Sequence, residues 1–253
     1  MNDFSHSESE SKVFGLQVYR SRVEQFDAAF LTDNFLKDGV DVVISRFNTS
    51  LQTRIFELCV LIPNSFLADT LVYYASNFGD RPRFDFPENI CISEVGPSEM
   101  GIVGDLIQRI FPNYTNHYHS NPFFKGLDLA KGYLEWTRPF LTDQDKICLL
   151  LYDSGVPCGF LTARIYQEEG YADIILNGVL KEYEGQGKYS YLLRALKNNL
   201  LQRQLFKVLV STQLTNQRVQ KVWTKEQFYL EKSYYTFHHF TSTKAISALK
   251  SAN

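Results

Sequence analysis

One segment restricts the fold more than any other: an apolar strand pattern leads through two glycines into a long amphipathic helix. The strand pattern covers residues 171–180, the glycines are Gly185 and Gly187, and the helical periodicity runs over residues 190–204. Glycines allow the backbone to turn tightly and to approach an anion, and the free amides of the following helix favour negative charge. The segment therefore predicts either a tight strand-to-helix turn or a cradle for phosphate groups.

The charge pattern around these glycines favours the phosphate cradle. The whole chain has a formal net charge of only −2, yet nine Lys or Arg residues and two acids lie between positions 181 and 225. This basic region is narrower than a nucleic-acid surface, so a polyphosphate ligand is favoured and nucleic acid is not expected as a partner. The segment also lacks the GxxxxGK[ST] sequence of a P-loop and the GxGxxG fingerprint of dinucleotide-binding units.

Length and composition indicate an ordinary folded chain. It has 253 residues, of which 44% are hydrophobic and 21% charged, enough for one large domain or two small ones. The four cysteines form no CxxC pair, and the adjacent His238 and His239 point to opposite faces of a strand, so no metal is expected. The polar N-terminus does not resemble a signal peptide, and no segment reaches the ~18 apolar residues that span a bilayer. We therefore expect a cytoplasmic protein without membrane contact.

The chain is expected to have two related parts. Residues 1–11 are polar and acidic and are predicted to be disordered. In residues 12–88 strand-like stretches alternate with helical ones, and the Pro- and Gly-containing run at 77–89 is the best candidate for a linker. Residues 89–253 show a sharper pattern of strands and helices that includes the glycine loop. No repeat of fixed period is evident, but a weak duplication of two halves is conceivable.

The glycine loop resembles the acyl-CoA loop of the GNAT N-acetyltransferase superfamily, in which a strand precedes [Gln/Arg]-x-x-Gly-x-[Gly/Ala] and an amphipathic helix. Gly187 matches the glycine, while Glu184 replaces Gln/Arg and Tyr189 replaces the small residue. The resemblance implies an α/β (α+β) fold with a mixed, mostly antiparallel sheet flanked by helices, preceded by a partial GNAT-like half. It also implies acyl-CoA as co-substrate, held by Val179, Leu180, Glu184, Gly185, Gln186, Gly187, Lys188, Tyr189, Ser190 and Asn216.

A narrower resemblance is to the branch of this superfamily that N-acylates dTDP-linked amino sugars, the TDP-fucosamine type. Residues 116–122 and 133–136 resemble that branch's Ser-Arg-Phe-His-x-Asp-Pro…Tyr-x-x-Trp, and residues 210–216 resemble its Val-x-Thr-Gln-x-x-Asn. The resemblance implies a dTDP-amino sugar as acceptor and CoA as the second partner, and a homodimer is suggested by analogy. The residues expected to bind the acceptor are His117, Tyr118, Phe123, Phe124, Tyr133 and Trp136.

Amide formation from a thioester needs a polarised carbonyl, a neutral amine and a departing thiolate. The resemblance assigns polarisation of the carbonyl to backbone amides around Asn177 and Gly178, where the glycine would tolerate a bulge. The position of the tyrosine that usually protonates the thiol is held by Trp223. An indole N–H donates a hydrogen bond but is not a proton-transfer acid, so the thiolate would have to leave without one.

The general base is open on sequence grounds. His117 and His119 are the titratable candidates, and His119 is favoured because His117 stands where the sugar branch has Arg. Asp173 and Glu168 are poorer candidates, since an acid in a hairpin is usually solvated. A weak base or a water chain would suffice, because a sugar amine is already partly neutral at pH 7.

The predicted activity is N-acylation of a dTDP-linked amino-dideoxy sugar by direct attack on acyl-CoA in a ternary complex. Acetyl is the default acyl group, and a longer hydroxyacyl group is credible. Two alternatives stay open. The acceptor amine could belong to a peptide or a polyamine, or the departures at Glu184, Tyr189 and Trp223 could mark a degenerate, non-catalytic CoA-binding module.

Overall fold

The computed structural model describes residues 1–79, 83–112, 116–121 and 129–251. Within these residues one sheet contains ten strands: β1 (Asp3–His6), β2 (Val18–Val23), β3 (Val42–Asn48), β4 (Ser65–Asn77), β5 (Ile90–Glu94), β6 (Lys146–Asp153), β7 (Val156–Tyr166), β8 (Tyr171–Val179), β9 (Lys207–Gln213) and β10 (Tyr229–Phe240). The helices are α1 (Glu8–Phe14), α2 (Ala28–Phe35), α3 (Ile55–Leu61), α4 (Met100–Ile110), α5 (Leu129–Thr137), α6 (Lys188–Gln202), α7 (Gln217–Lys225) and α8 (Thr243–Ser251).

The sheet is mixed and mostly antiparallel, which confirms the predicted fold class. Its strand order is β1-β2-β3-β10-β4-β9-β8-β7-β6-β5. The pairs β2–β3 and β8–β9 are parallel, and each has a helix, α2 or α6, in its connection. The other pairs are antiparallel.

The two halves of the chain share this sheet. We call residues 1–79 the amino-terminal half and residues 83–251 the carboxy-terminal half. β10 comes from the carboxy-terminal half but lies between β3 and β4 of the amino-terminal half, pairing with both. Three strands lie beyond β10 on one side and five beyond β4 on the other, and each flank begins with a parallel pair, β3–β2 or β9–β8. The domain boundary expected after residue 88 falls between β4 and β5 and stays a prediction.

Helices cover both faces of the sheet in the carboxy-terminal half. The apolar side of α6 carries Leu192, Leu196 and Leu200 at helical spacing, and all three are buried in a core with α7. On the opposite face, α4 and α5 pack over β6 and β7 through a second core. The end of β8 lies between these two layers, so groups along its last residues can be reached only where the strands separate.

The first residues are ordered, contrary to the predicted disorder of residues 1–11. β1 pairs with β2, and α1 follows it directly. Glu10 is only 5% exposed and forms a bidentate ion pair with Arg20, with both N···O distances 2.7 Å. The composition misled because polar residues here gain partners from distant strands, which local sequence does not reveal.

Candidate active site

β8 and β9 separate partway along their length. Their parallel ladder begins at Tyr171 and ends where Ile174 lies opposite Val210. β8 nevertheless continues to pair with β7 as far as Val179. Among the strands that the structure describes, none pairs with the far edge of β8 over its last residues, and a wedge-shaped opening lies between β8 and β9.

A β-bulge marks the point where the strands diverge. In the β7–β8 ladder Thr162 lies opposite Leu176 and Ala163 opposite Ile174, so Ile175 is the extra residue. The Thr162 hydroxyl accepts the Leu176 N–H and donates to the Leu176 carbonyl, both at 3.0 Å. Because a bulge bends its strand, the extra residue turns β8 away from β9.

The bulge is not at Gly178, where the sequence suggested that one would be tolerated. A Cβ on Gly178 would lie 2.7 Å from Cγ2 of Ile110, on α4. Such a distance is shorter than real Cβ contacts, so a side chain here would push α4 away from the sheet. Gly178 is needed for close helix packing rather than for the bulge.

The backbone amides of Asn177 and Val179 face the opening. The Leu180 N–H donates to the Cys158 carbonyl of β7 at 2.8 Å, which places the Leu180 amide on the β7 side. Amide direction alternates along a strand, so the amides of residues 177 and 179 point the other way. These donors lie at the edge that β9 has left, as expected for groups that polarise a carbonyl.

The glycine loop presents unoccupied amides at the start of α6. Gly185 and Gly187 both have φ of 77°, the left-handed region that favours glycine. Gly187 is the N-cap residue of this 15-residue helix and provides no side-chain cap. Among the described residues, the amides of Gly185 to Lys188 donate to no protein group. Four free N–H groups at a helix N-terminus suit an anion such as a phosphate.

The charged side chains of the loop are turned toward protein partners. Glu184 pairs with Arg218 at 2.6 Å, which offsets its negative charge beside the amides. The buried Lys188 ammonium pairs with Asp153 of the β6–β7 hairpin at 2.6 Å. The Lys188 side chain thus anchors the first residue of α6, while its amide stays free.

A cavity of about 250 Å³ lies in the opening between β8 and β9. It is lined by residues that the sequence singled out from four separate segments: His117, Tyr118, Tyr133, Trp136, Asn177, Asn216 and Trp223. The glycine loop does not line it, and Phe123 and Phe124 lie outside the described residues. The structure thus brings four expected acceptor-binding residues together with Asn177, Asn216 and Trp223, but not with Gly178.

His119 does not line the cavity. Its side chain is exposed, and its Nδ1 accepts the Asn116 backbone N–H at 3.1 Å and lies 3.1 Å from the Asn116 Oδ1. These contacts hold the ring against its own loop. The structure therefore gives no support to His119 as the base, whereas His117 lines the cavity.

Tyr118 links the two halves of the chain. It is 3% exposed, its hydroxyl donates to Glu10, and the same oxygen accepts a hydrogen bond of 2.6 Å from Arg20. Burial raises the pKa of Tyr118 and outweighs the opposing effect of the Arg20 cation. The hydroxyl is thus occupied by the amino-terminal half, although the residue borders the cavity, and its role in acceptor binding stays a prediction.

Trp223 and Asn216 also have protein partners. The indole N–H of Trp223, a residue 1% exposed, donates to the Tyr189 hydroxyl at 2.8 Å. The Asn216 amide nitrogen donates to the Thr212 hydroxyl at 3.0 Å. Trp223 therefore has its one donor committed to the first turn of α6, and the sequence departures at 189 and 223 contact each other.

Sequence reasoning missed Arg46, which reaches the cavity from β3. The guanidinium donates to the Thr236 hydroxyl and lies 3.4 Å from Asp69. Of the cavity-lining side chains within the described ranges, it alone carries a full charge at neutral pH. No local signal could have found it, because β3 is far from the glycine loop along the chain.

Asp173, which the sequence ranked low, is a half-buried acid on β8. Its Oδ1 is buried without a hydrogen-bond partner in the described structure. Burial raises the pKa of Asp173 to about 7, against the opposing effects of Lys232 and Arg22. Its neighbours Ala172 and Ile174 pack toward α6, so Asp173 points to the opposite face, two residues before the cavity-lining Ile175. The alternation of side chains along the predicted strand was the signal that could have placed Asp173 on the face opposite Ala172 and Ile174.

Two further features of the described residues bear on the site. They contain no cluster of three His, Cys, Asp or Glu side chains suited to a metal ion. Nor does any helix among them have the length and hydropathy needed to cross a bilayer.

Comparison with known proteins agrees with this geometry. Residues 108–228 match the model of the acetyltransferase (GNAT) family. Over 94% of this chain and 75% of the other, the fold is similar to a GCN5-related N-acetyltransferase from Sphaerobacter thermophilus, with 15% identity and a TM-score of 0.66. A GCN5-related N-acetyltransferase from Kribbella flavida aligns over 91% and 84% of the two chains, with 10% identity and a TM-score of 0.57.

A tandem GNAT protein from the clavulanic acid biosynthesis pathway also resembles the chain. It aligns over 88% of this chain and 75% of its own, with 10% identity and a TM-score of 0.59. None of the curated proteins matches the sequence. At such low identity the structural likeness establishes the fold, and the family match covers the segment that holds the glycine loop and the opening. The chain therefore has the GNAT fold, and its residues 108–228 match the model of the GNAT acetyltransferase family.

Proposed function

We propose that the protein is an acyl-CoA-dependent N-acyltransferase that acylates the amine of a dTDP-linked amino-dideoxy sugar. The acyl group, acetyl or a longer hydroxyacyl, moves by direct attack in a ternary complex. One observation carries the proposal: the β8–β9 opening has free helix-start amides on one side and a polar, aromatic cavity on the other. A transferase needs such a passage so that donor and acceptor meet.

The residues present fit the donor. The amides of Gly185 to Lys188 would hold the diphosphate, and the α6 dipole adds to that attraction. The Val179 amide, on the free edge of β8, is available to the pantetheine arm. Bound acyl-CoA would supply the activated thioester, and the Asn177 amide is the donor placed to polarise its carbonyl.

For removal of the amine proton we assign Asp173, which does not itself line the cavity but lies on β8 two residues before the cavity-lining Ile175. With a pKa near 7, about half of the Asp173 carboxyl groups are ionised at neutral pH, which suits a base acting through a water molecule. The departing thiolate needs no acid from Trp223, because a thiol of pKa ~8.5 is a tolerable leaving group. Alignment of the reactants and polarisation of the carbonyl would supply most of the acceleration.

The charge at the cavity favours an anionic acceptor. Arg46 is paired with Asp69 only at 3.4 Å, so part of its charge is available to attract the diphosphate of a nucleotide sugar and to repel a cationic polyamine or a basic peptide. Tyr133 and Trp136 offer ring surfaces, and Trp136 is 42% exposed, which is unusual for a core tryptophan. The Arg46 charge supports the nucleotide-sugar acceptor over the cationic alternatives, and the ring surfaces are suited to stack on a nucleobase.

The test is mass spectrometry after incubation with dTDP-amino sugars, polyamines and basic peptides, each with acetyl-CoA and hydroxyacyl-CoAs. We expect one added acyl group on a dTDP-amino sugar and equal release of free thiol. Arg46→Gln should raise KM for the sugar about tenfold, and Arg46→Lys should retain most of the affinity. Acylation of polyamines alone would contradict the acceptor, and absence of CoA binding in calorimetry would support the non-catalytic alternative.

A further inference from the structure

Two histidines from distant parts of the chain meet behind the cavity. His117 lies in the described segment 116–121 and is 6% exposed, and His238 lies on β10 and is fully buried. The Nδ1 of His117 is 2.8 Å from the Nε2 of His238. This contact joins the cavity wall to the central strand of the sheet.

Asn121 sets the direction of the hydrogen bonds in this pair. Its amide nitrogen, a donor only, lies 2.9 Å from the Nδ1 of His238. The His238 Nδ1 therefore accepts, which places the proton of the neutral ring on Nε2. That proton is donated to the His117 Nδ1, so the proton of a neutral His117 must be on its Nε2.

Burial keeps both rings neutral. It lowers the pKa of His117 well below its ordinary value, and the nearby Arg46 and Arg20 cations act in the same direction. Burial, Arg20 and Arg46 likewise lower the pKa of His238. His117 lines the cavity, and its Nε2 has no hydrogen-bond partner in the described part of the chain. A neutral ring with its proton on that nitrogen is a donor and cannot serve as a base there.

We propose that Asn121 and His238 are positioning residues that fix His117 as the Nε2–H tautomer, so that His117 donates a hydrogen bond to a hydroxyl or carbonyl oxygen of the acceptor. The proposal rests on the proposed transferase function for the identity of the acceptor. It makes His117 a specificity-determining donor, and it leaves proton removal to another group.

The tautomer is measurable without any substrate. Long-range nitrogen–proton NMR correlations of the ¹⁵N-histidine-labelled protein distinguish the two forms, and His117→Asn and His238→Gln assign the signals. We expect Nε2–H for both rings. A proton on the His117 Nδ1 would make its Nε2 an acceptor and overturn the proposal, whatever the enzyme acylates.

Asn121→Asp should invert the pair. A carboxylate only accepts, so His238 would turn its proton to Nδ1 and would accept from the His117 Nδ1 through Nε2. The His117 Nε2 would then lose its proton and its donor role. We expect the NMR pattern to switch and the acceptor KM to rise about tenfold or more; an unchanged pattern would contradict the assigned direction.

Kinetics separates positioning from folding. His238→Leu should raise the acceptor KM about tenfold with little change in the acyl-CoA KM, and His238→Gln, which keeps a donor, should restore most of the affinity. The matched control is His239→Leu, an equally buried neighbour whose ring contacts Ser45 and Ser65 on the other face. If the acceptor KM rises equally in the control, His238 has a structural role only and does not position His117.

The two proposals fail differently. If no dTDP-amino sugar is acylated but the Nε2–H tautomers are found, the proposed acceptor is wrong and the hydrogen-bond chain is supported. If the sugar is acylated but His117 carries its proton on Nδ1, the positioning role is wrong and the transferase function stands.

Discussion

The two parallel strand pairs of the sheet are built alike but differ in whether they open. β2 and β3 pair from Val18 opposite Val42 to Val23 opposite Phe47, the whole length of β2. β8 and β9 stop pairing at Ile174 although β8 runs on for five more residues. The comparison shows that a bulge and a short ladder, rather than the strand–helix–strand unit itself, create the space for a ligand.

The helices in the two connections, α2 after β2 and α6 after β8, differ in whether the amides at their N-termini are free. At the start of α2 the Asp27 side chain accepts the Phe30 N–H at 3.0 Å and so occupies the helix N-terminus. At the start of α6 Gly187 leaves the amides free. A wider depression of about 620 Å³ borders α2, but a carboxylate already sits where an anion would bind. Size alone therefore does not identify the ligand site.

Buried acids provide a third contrast. Burial alone would raise the pKa of Glu10, but the charge and hydrogen bonds of Arg20 hold it below its ordinary value. Asp173 has a buried oxygen without a partner in the described structure, and its pKa is raised. The two acids thus differ in their partners: Glu10 is paired with Arg20, whereas Asp173 keeps an oxygen without a partner and a raised pKa.

The largest effect should follow from Asp173→Asn. If Asp173 is the base, kcat should fall about 100-fold with both KM values little changed, and the acidic limb of the pH–rate profile near pH 7 should disappear. The control is Asp145→Asn, which removes an exposed acid paired with Arg164. A fall in kcat of less than about threefold would show that the amine needs no such base.

The same variant should change the pH dependence of stability. The folded pKa of Asp173 lies above the ordinary value of 3.8, so the fold binds this proton more tightly than the unfolded chain does. Its contribution to the free energy of unfolding is present below pH ~4 and is lost as pH rises to ~7, by up to ~1.4 kcal/mol per pH unit. Urea unfolding should show that this loss is absent in Asp173→Asn.

Gly187→Ala tests the open helix start. A Cβ would meet no atom within 4 Å, so only the left-handed backbone is penalised, by about 1–2 kcal/mol. If this backbone must hold the diphosphate, the Kd for CoA in calorimetry should rise about 5- to 30-fold. Gly170→Ala, at φ of 75° in the β7–β8 turn, has the same strain and should leave CoA affinity unchanged. Equal losses would point to instability instead.

Asp27→Ala tests the closed helix start. Loss of the cap should lower the free energy of unfolding by about 1 kcal/mol, and Asp27→Asn should retain most of it. Denaturant melts measure both. Affinity for CoA should not change, because the diphosphate site belongs to α6. Weaker CoA binding in Asp27→Ala would contradict the expectation that the α2 cap and the diphosphate site at α6 are independent.

The smallest effect is expected from Glu184→Gln. Removing an acid beside the loop should tighten CoA binding about twofold at low salt, and ~0.5 M salt should abolish the gain, since Glu184 is already paired with the exposed Arg218. Glu182→Gln, two residues earlier and paired with Arg109, is the control. A similar gain there would reflect overall charge rather than the loop.

Much of the fold was predictable because its signals are local. Apolar periodicity and turn residues located β5 to β9 and α6, and the family resemblance supplied the mixed sheet. That residues 1–11 are ordered was not predictable. The buried Glu10 carboxylate is stabilised only by Arg20 and Tyr118, which local sequence does not place beside it. His119 was favoured over His117 because His117 stands where the sugar branch has Arg, and the burial of His117 against His238 of β10 is visible only in the structure.

By itself the sequence determined the glycine loop and the helix behind it, because φ preference and helix periodicity are properties of neighbouring residues. Only the tertiary structure decided what surrounds the opening. It placed Arg46 at the cavity, turned Asp173 to the face opposite α6 and joined His238 to His117. These contacts arise from strand pairing between distant segments, and the burial that shifts each pKa exists only once the sheet has formed.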